Sequence, residues 1–419
     1  MFSYAAFLGH QPHISAVEIC SVLPDCTIKG IFNKQVAIFE TAVELDSSFL
    51  NELGGTMILA RQIIKSSVSL NEVPKLLANE LQKAKKGKVT FSLRAVGVAP
   101  KSVRDLYRSC KQHLKNNGRP SRYVGTDRKA APAIVLHEND MIEGKQGCEI
   151  VVLRDEEGEL WVGRTIGAQN VNAYTKRDME KPVRDTGVGL LPPKLAQILL
   201  NFGVFAAAHG KKDKKPSKKF KLPKLTVFDP FCGTGVIPLE CLLRKWPVFA
   251  SDIALKAVNG CKKNIEWMRK EEKILKKDCE AEVWKQDATK PFPKLCHPEH
   301  SRGADVIVTE TSLGPNLLKK PTLKDVQKMK TENEALQAAF LKNAAQTLPG
   351  VPIVCTFPVW YHSKGITQLS KIWSEAEETG YCAVLPHELS GDVSGNLSLI
   401  YRRPNQMVGR EIVVFVSKK

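Results

Sequence analysis

Between Leu225 and Val236 the chain runs from a short apolar segment (Leu225 to Phe228) into an acid and then a glycine-spaced turn, Asp229-Pro-Phe-Cys-Gly-Thr-Gly235. This limits the fold more than any other stretch. Where a buried parallel strand ends in such a turn, glycines let a ligand approach the backbone closely, and the next helix offers it unpaired N–H groups. Asp229 stands where its carboxylate can face a ligand's amino group. The chain contains neither the P-loop spacing of glycine, lysine and Ser/Thr nor the Gly-x-Gly-x-x-Gly of dinucleotide folds, so triphosphate and nicotinamide readings lose their main support.

From Leu225 onward, strand-like and helix-like segments alternate. Strands are expected at 225–228, 247–251, 281–286, 304–309 and 352–357. Helices are expected at 235–244, 254–269, 322–347 and 364–379, and two closing strands at 396–402 and 410–417. Such alternation predicts an α/β domain with a mainly parallel sheet, helices on both faces and an antiparallel hairpin at its edge. Ligands on these sheets bind beyond the carboxyl ends of the strands, where Asp229, Asp252 and Asp287 stand.

Two smaller α+β modules precede it. Residues 1–56 read as strand Phe2 to Leu8, helix Ser15 to Leu23 and strand Ala37 to Phe39. Residues 57–164 read as helices Val73 to Lys85 and Val103 to Asn116, with strands Val89 to Ala95, Ala133 to Leu136 and Glu149 to Leu153. Residues 165–224 connect them to the final domain (225–419). This connection holds an entry helix over Leu190 to Phe202, with Pro192 and Pro193 near its start where missing N–H groups cost little. It also holds the lysine-rich run Lys211 to Lys224, which self-repels and is expected to be an exposed loop.

The formal charge of +18 favours a polyanionic partner, because neutralising phosphates releases counterions. Eleven cysteines without paired C-x-x-C spacing argue against a disulfide framework or structural zinc. His297 and His300 sit near Cys296 in a Pro-containing loop that lacks a fourth ligand, so no metal is called for. No stretch approaches the ~18 continuous apolar residues of a membrane span. The expectation is a soluble, cytoplasmic protein.

The donor turn DPFCGTG resembles that of S-adenosylmethionine-dependent methyltransferases that act on exocyclic base amines. The resemblance implies S-adenosylmethionine as cofactor, a Rossmann-like seven-stranded domain, and donor contacts from Asp229, Phe231, Gly233 and Gly235. Asp252 would then meet the ribose hydroxyls and Asp287 the adenine amino group. In these enzymes Asp/Asn-Pro-Pro-Tyr/Phe ends the fourth strand; this chain has Glu310-Thr-Ser-Leu-Gly314. Glu310 takes the place of the acid that orients the target amine. Leu313 takes that of the aromatic ring, offering an apolar face without a π-stack, a loss of ~1–3 kcal/mol per base.

Three further segments resemble the tRNA guanosine N2-methyltransferases of the archaeal and eukaryotic type. Phe7 to Glu18 is similar to their ferredoxin-like N-terminal domain, Arg119 to Asn139 to the second half of a THUMP domain, and Thr165 to Leu200 to the segment ahead of the donor loop. This implies tRNA as substrate and RNA contacts from Lys101, Arg104, Arg119, Arg122 and Arg128. It also implies packing of Leu191, Pro192 and Lys194 over the methionine part of the cofactor. A tRNA-binding scaffold that has kept the fold without turnover is the rival reading, and a DNA amino methyltransferase a third. Neither oligomeric state nor an activating protein subunit is readable from the sequence.

Overall fold

The computed structural model describes residues 1–84, 86–142, 146–185, 190–211, 219–297, 299, 303–317, 319–387 and 397–418. By internal contacts the chain divides into two compact units. One comprises residues 1–16, 23–173 and 215–221; the other comprises 17–22, 174–214 and 222–419.

The first unit is built on one eight-stranded sheet. Its strands are Phe2–Leu8, Thr27–Phe32, Val36–Thr41, Thr56–Gln62, Val89–Val96, Ser121–Tyr123, Gly147–Arg154 and Leu160–Ala168. The first four, with helices Pro12–Val22 and Ser47–Asn51, follow the β-α-β-β-α-β order of ferredoxin-like folds. Thr56–Gln62 pairs with Phe2–Leu8 on one side and with Leu160–Ala168 on the other, so both sequence modules share the sheet. Helix Pro100–Asn116 packs through Leu106, Cys110 and Leu114 against a core that includes Phe91, Ile150 and Val152. Within the sheet, buried Glu149 accepts two bonds from Arg94 (3.0 and 3.1 Å) and one from Thr165 (2.6 Å). These bonds offset the cost of burying a carboxylate.

The second unit carries a nine-stranded sheet. Seven strands form its path: β1 (Val227–Asp229), β2 (Val248–Asp252), β3 (Ala281–Lys285), β4 (Val306–Glu310), β5 (Ile353–His362), β6 (Tyr381–Val384) and β7 (Val408–Ser417). Across the sheet they run 3-2-1-4-5-7-6. The pairings from β3 through β5 are parallel, and β7 is antiparallel to both β5 and β6. The short strands Gly365–Thr367 and Leu399–Tyr401 pair with β5 and β7. Buried on both faces, β2 and β4 read as near-continuous apolar runs that end in an acid. The helices are α1 (Pro193–Ala208), α2 (Val236–Leu243), α3 (Leu255–Glu271), α4 (Leu323–Thr347) and α5 (Ile372–Glu378). A capping box starts α4: Asp325 N–H donates to the Thr322 hydroxyl at 3.2 Å, and Thr322 N–H donates back to the Asp325 carboxylate at 3.1 Å. Phe228, Phe249, Phe340, Phe357, Trp360 and Phe415 fill the core. Each contributes on the order of 2–3 kcal/mol of burial.

Two expected elements differ, one in type and one in extent. Ala133 to Leu136, a β-branched run suggesting a strand, lies in helix Ala133–Glu138, which starts after Pro132 and buries only Leu136. The helix expected over 364–379 shortens to Ile372–Glu378, because His362 pairs with Gly365 across a tight turn and Gly365–Thr367 folds back on β5. Gly365 has φ 131°, a conformation a helix cannot use. Among the described residues six strands escape the periodicity reading: Thr27–Phe32, Thr56–Gln62, Ser121–Tyr123, Leu160–Ala168, Gly365–Thr367 and Tyr381–Val384. Residues 212–218 of the lysine-rich run lie outside the described residues, as does His300. Among the described residues no helix is long and apolar enough to cross a membrane, and no group of three His, Cys, Asp or Glu side chains could hold a metal ion.

Candidate active site

The parallel strands deliver their final residues to one cavity of about 460 Å³, lined by Asp229, Phe231, Gly233, Asp252, Asp287, Glu310 and Leu313 among others. Strand register explains this convergence. Asp229 pairs with Ala250 of β2, so Asp252 lies one pleat further along, and Glu310 pairs with Thr356 of β5. A larger opening of about 620 Å³, around Lys224, Pro247 and Glu280, lies at the opposite ends of β2 and β3, away from these carboxylates.

The donor turn is held from within. Gly233 N–H donates to Asp252 Oδ2 (3.0 Å), Ala254 N–H to Asp252 Oδ1 (2.8 Å) and Cys232 N–H to the Ser251 carbonyl (2.9 Å). Gly233 and Gly235 both have positive φ, 51° and 90°. A Cβ on Gly233 would meet nothing within 4 Å, whereas one on Gly235 would stand 2.6 Å from Cys261 Sγ. One glycine therefore leaves open space for a ligand, and the other lets the turn close on α3. Gly235 does not line the cavity; it caps α2 in the left-handed conformation.

The carboxylates differ in character. Asp229 is 1% exposed. Burial pushes its pKa up to about 7, against the opposing pull of bonds from the Thr309 hydroxyl and Phe231 N–H; the charges of Asp252 and Glu310 push it further up. Asp287, past the end of β3, is held below the usual range by the backbone N–H (2.9 Å) and hydroxyl (2.7 Å) of Thr289. Glu310 is shifted upward by burial, with the Arg410 guanidinium acting against the shift. Arg410 Nε lies 2.5 Å from Glu310 Oε1.

Leu191 lines the cavity, while Pro192 is the N-cap of α1 and Lys194 sits in that helix's first turn, 5.0 Å above the ring of Tyr174. Lys194 is shifted downward by burial and by the neighbouring charges of Arg177 and Arg403. Residues 186–189, inside the segment resembling the tRNA methyltransferases, lie outside the described residues. Sequence reasoning missed Asn264. Its side chain exchanges two bonds with the Val183 backbone (both 2.9 Å) and donates to the Thr234 carbonyl (2.8 Å), tying the segment ahead of α1 to the donor turn. A polar residue on the buried side of α3 was the available signal.

In the first unit, Lys101 and Arg104 stand exposed on helix Pro100–Asn116, and Arg122 and Arg128 are exposed nearby in sequence. Arg104 forms an ion pair with Asp127 at 2.5 Å. Arg119 is partly buried, and its Nη2 donates to the Ala84 carbonyl at 3.0 Å. Arg108, Lys111 and Lys115 were missed. With Lys101 and Arg104 they recur at alternating spacings of three and four, an exposed basic stripe opposite the buried Val103, Leu106, Cys110 and Leu114.

The strand order and the acid-ended strands around one cavity define a Rossmann-like methyltransferase fold. The chain is similar in fold to TrmN from Thermus thermophilus, with 15% identity over the whole of both chains and a TM-score of 0.50. A possible methylase from Clostridium difficile 630 is 12% identical over the whole of this chain and 98% of its own, with a TM-score of 0.43. The delta-N METTL16 methyltransferase domain is 11% identical over 59% of this chain and 92% of its own, with a TM-score of 0.39. No protein-family model matches the chain, and no curated protein sequence does.

Proposed function

We propose that the protein is an S-adenosylmethionine-dependent RNA methyltransferase acting on an exocyclic base amine of tRNA, the N2 of a guanosine. One observation carries this reading: Asp229, Gly233, Asp252 and Asp287 meet Glu310 in a single cavity beyond the strand ends. The residues fit the cofactor. The open space over Gly233 admits a ligand against the backbone. In this reading Asp252 and Asp287 accept from ribose hydroxyls and an adenine amino group, and Asp229 meets an ammonium. When bound, the sulfonium supplies an already activated methyl group.

The protein's own work is then positioning. Glu310 accepts a hydrogen bond from the target amine, turning its lone pair toward the donor, and Leu313 gives the base an apolar face. Holding the two reactants at attack distance replaces a bimolecular encounter and supplies much of the acceleration. We assign RNA contact to the exposed stripe Lys101, Arg104, Arg108, Lys111 and Lys115, with Arg122 and Arg128, because such side chains grip phosphates without reading sequence. In this reading residues 1–56 are a ferredoxin-like domain, 57–164 a THUMP domain, 165–224 the connection and 225–419 the catalytic domain of a cytoplasmic enzyme.

The test is methyl transfer from labelled S-adenosylmethionine to unmodified tRNA, with Asp229→Ala as control and nucleoside mass spectrometry of the product. Asp229-dependent N2-methylguanosine supports the proposal. Tight tRNA binding without any methylated nucleoside supports the second reading, a scaffold that has kept the fold, which Leu313 in place of an aromatic ring favours.

A further inference from the structure

Glu310 is the acid that would orient the target amine, yet burial alone would favour its neutral form. A protonated carboxyl loses acceptor capacity and gains a competing donor. The cation that opposes this comes from β7, whose pairing with β5 brings Arg410 opposite Pro358, two residues beyond the Thr356 that pairs with Glu310. The Arg410 side chain is 3% exposed and that of Glu310 14% exposed, with Nε at 2.5 Å from Oε1. Arg410 Nη2 also reaches the Leu190 carbonyl at 3.4 Å, next to the cavity-lining Leu191. The guanidinium therefore binds one carboxylate oxygen and is itself braced by the segment ahead of α1. Among the described residues, the other ionisable side chains that line the same cavity, Asp185, Asp229, Asp252 and Asp287, are all acidic.

We infer that Arg410 is a positioning residue for the acceptor site: it keeps Glu310 ionised and turned so that one oxygen accepts from the target amine. This inference rests on the function proposed above for Glu310. The methyltransferase acid motif contains no such partner, and a glutamate whose extra methylene adds a rotatable bond needs one more than an aspartate does. A guanidinium suits this role, because one nitrogen can hold a carboxylate oxygen while another is braced by a backbone carbonyl.

The test uses the full chain and two independent readouts. The first is infrared difference spectroscopy at neutral pH. The wild type already carries the protonated-carboxyl band of Asp229; Arg410→Met is expected to add a second such band, which Arg410→Met/Glu310→Gln loses. The second is methyl transfer to unmodified tRNA. In Arg410→Met the turnover number should fall roughly tenfold or more at pH 7 with affinity for S-adenosylmethionine within about twofold, and should recover as the pH is raised. Arg410→Lys should restore part of the loss. If Arg410→Met does not fold, Arg410→Gln carries the same readouts. Absence of a Glu310-dependent band, or a pH profile identical to wild type, overturns the inference. If the wild type transfers no methyl group to RNA, the proposed function falls, and the infrared band still decides the role of Arg410 in holding the charge.

Discussion

Thr309 donates its hydroxyl to Asp229 Oδ1 at 2.6 Å, a bond from β4 to the end of the adjacent β1. The carboxyl it holds titrates near pH 7 because burial penalises the ionised form more than this bond and the Phe231 N–H favour it. A raised folded-state pKa means that the folded chain binds the proton more tightly than the unfolded chain, whose aspartates titrate near ~3.9. The stabilising contribution is therefore complete below about pH 4 and is lost as the pH rises toward 7. In the ligand-free protein, Asp229→Asn should flatten this slope and raise stability at pH 7.5 on the order of a few kcal/mol, read by denaturant unfolding at several pH values. A cationic ligand should drive the proton off, so calorimetry near pH 7 in buffers of different ionisation enthalpy should detect proton release.

The two turn glycines should separate folding from binding. Gly235→Ala combines a left-handed backbone with a methyl 2.6 Å from Cys261 Sγ, so thermal unfolding should report a loss of ~2 kcal/mol or more. Gly233→Ala meets no neighbour within 4 Å, so only the backbone term of ~1 kcal/mol applies, while its methyl occupies the cavity. Affinity for S-adenosylhomocysteine should drop at least tenfold in the folded Gly233→Ala protein; unchanged affinity would remove Gly233 from the donor site.

Asn264→Ala should leave the Val183 N–H and carbonyl and the Thr234 carbonyl without their amide partner. Unsatisfied buried groups cost about 1–3 kcal/mol each, less whatever water recovers. Increased hydrogen exchange at the Val183 amide is the expected local signature. Asn264→Asp, which keeps only the acceptor, should recover the Val183 N–H bond alone.

The combined variant Arg108→Gln/Lys111→Gln/Lys115→Gln should weaken tRNA binding and reduce the slope of log affinity against log salt by about 2, since each phosphate contact contributes ~0.7–0.9. Arg119→Gln should leave that slope unchanged and lower stability instead, because its guanidinium is taken up by the Ala84 carbonyl. A slope that falls with Arg119→Gln and not with the triple variant would reverse the assignment.

Much of the second unit is legible in the chain because its signals are local. Strands β1, β2 and β4 are short apolar runs closed by Asp229, Asp252 and Glu310, and each is observed within two residues of its expected ends. Gly233 and Gly235 announce a turn, and in the structure both adopt positive φ. Reading failed where tertiary pairing overrides local preference. Tyr381–Val384 is a four-residue strand whose place is set by its ladder to β7. Ala133 to Leu136 has β-branched residues, yet after Pro132 it coils into a helix that buries Leu136.

The sequence by itself determined the alternation of strands and helices, the glycine turn and the acids that end the strands, since periodicity and backbone freedom are properties of neighbouring residues. Only the tertiary structure decided what those acids face. Arg410 reaches Glu310 across 100 residues and Asn264 reaches Val183 across 81, through sheet order and helix packing that no local pattern specifies. The same physics separates Arg119 from Arg108: both are cations in the chain, and only packing determines which one is taken up by a backbone carbonyl and which stays in water.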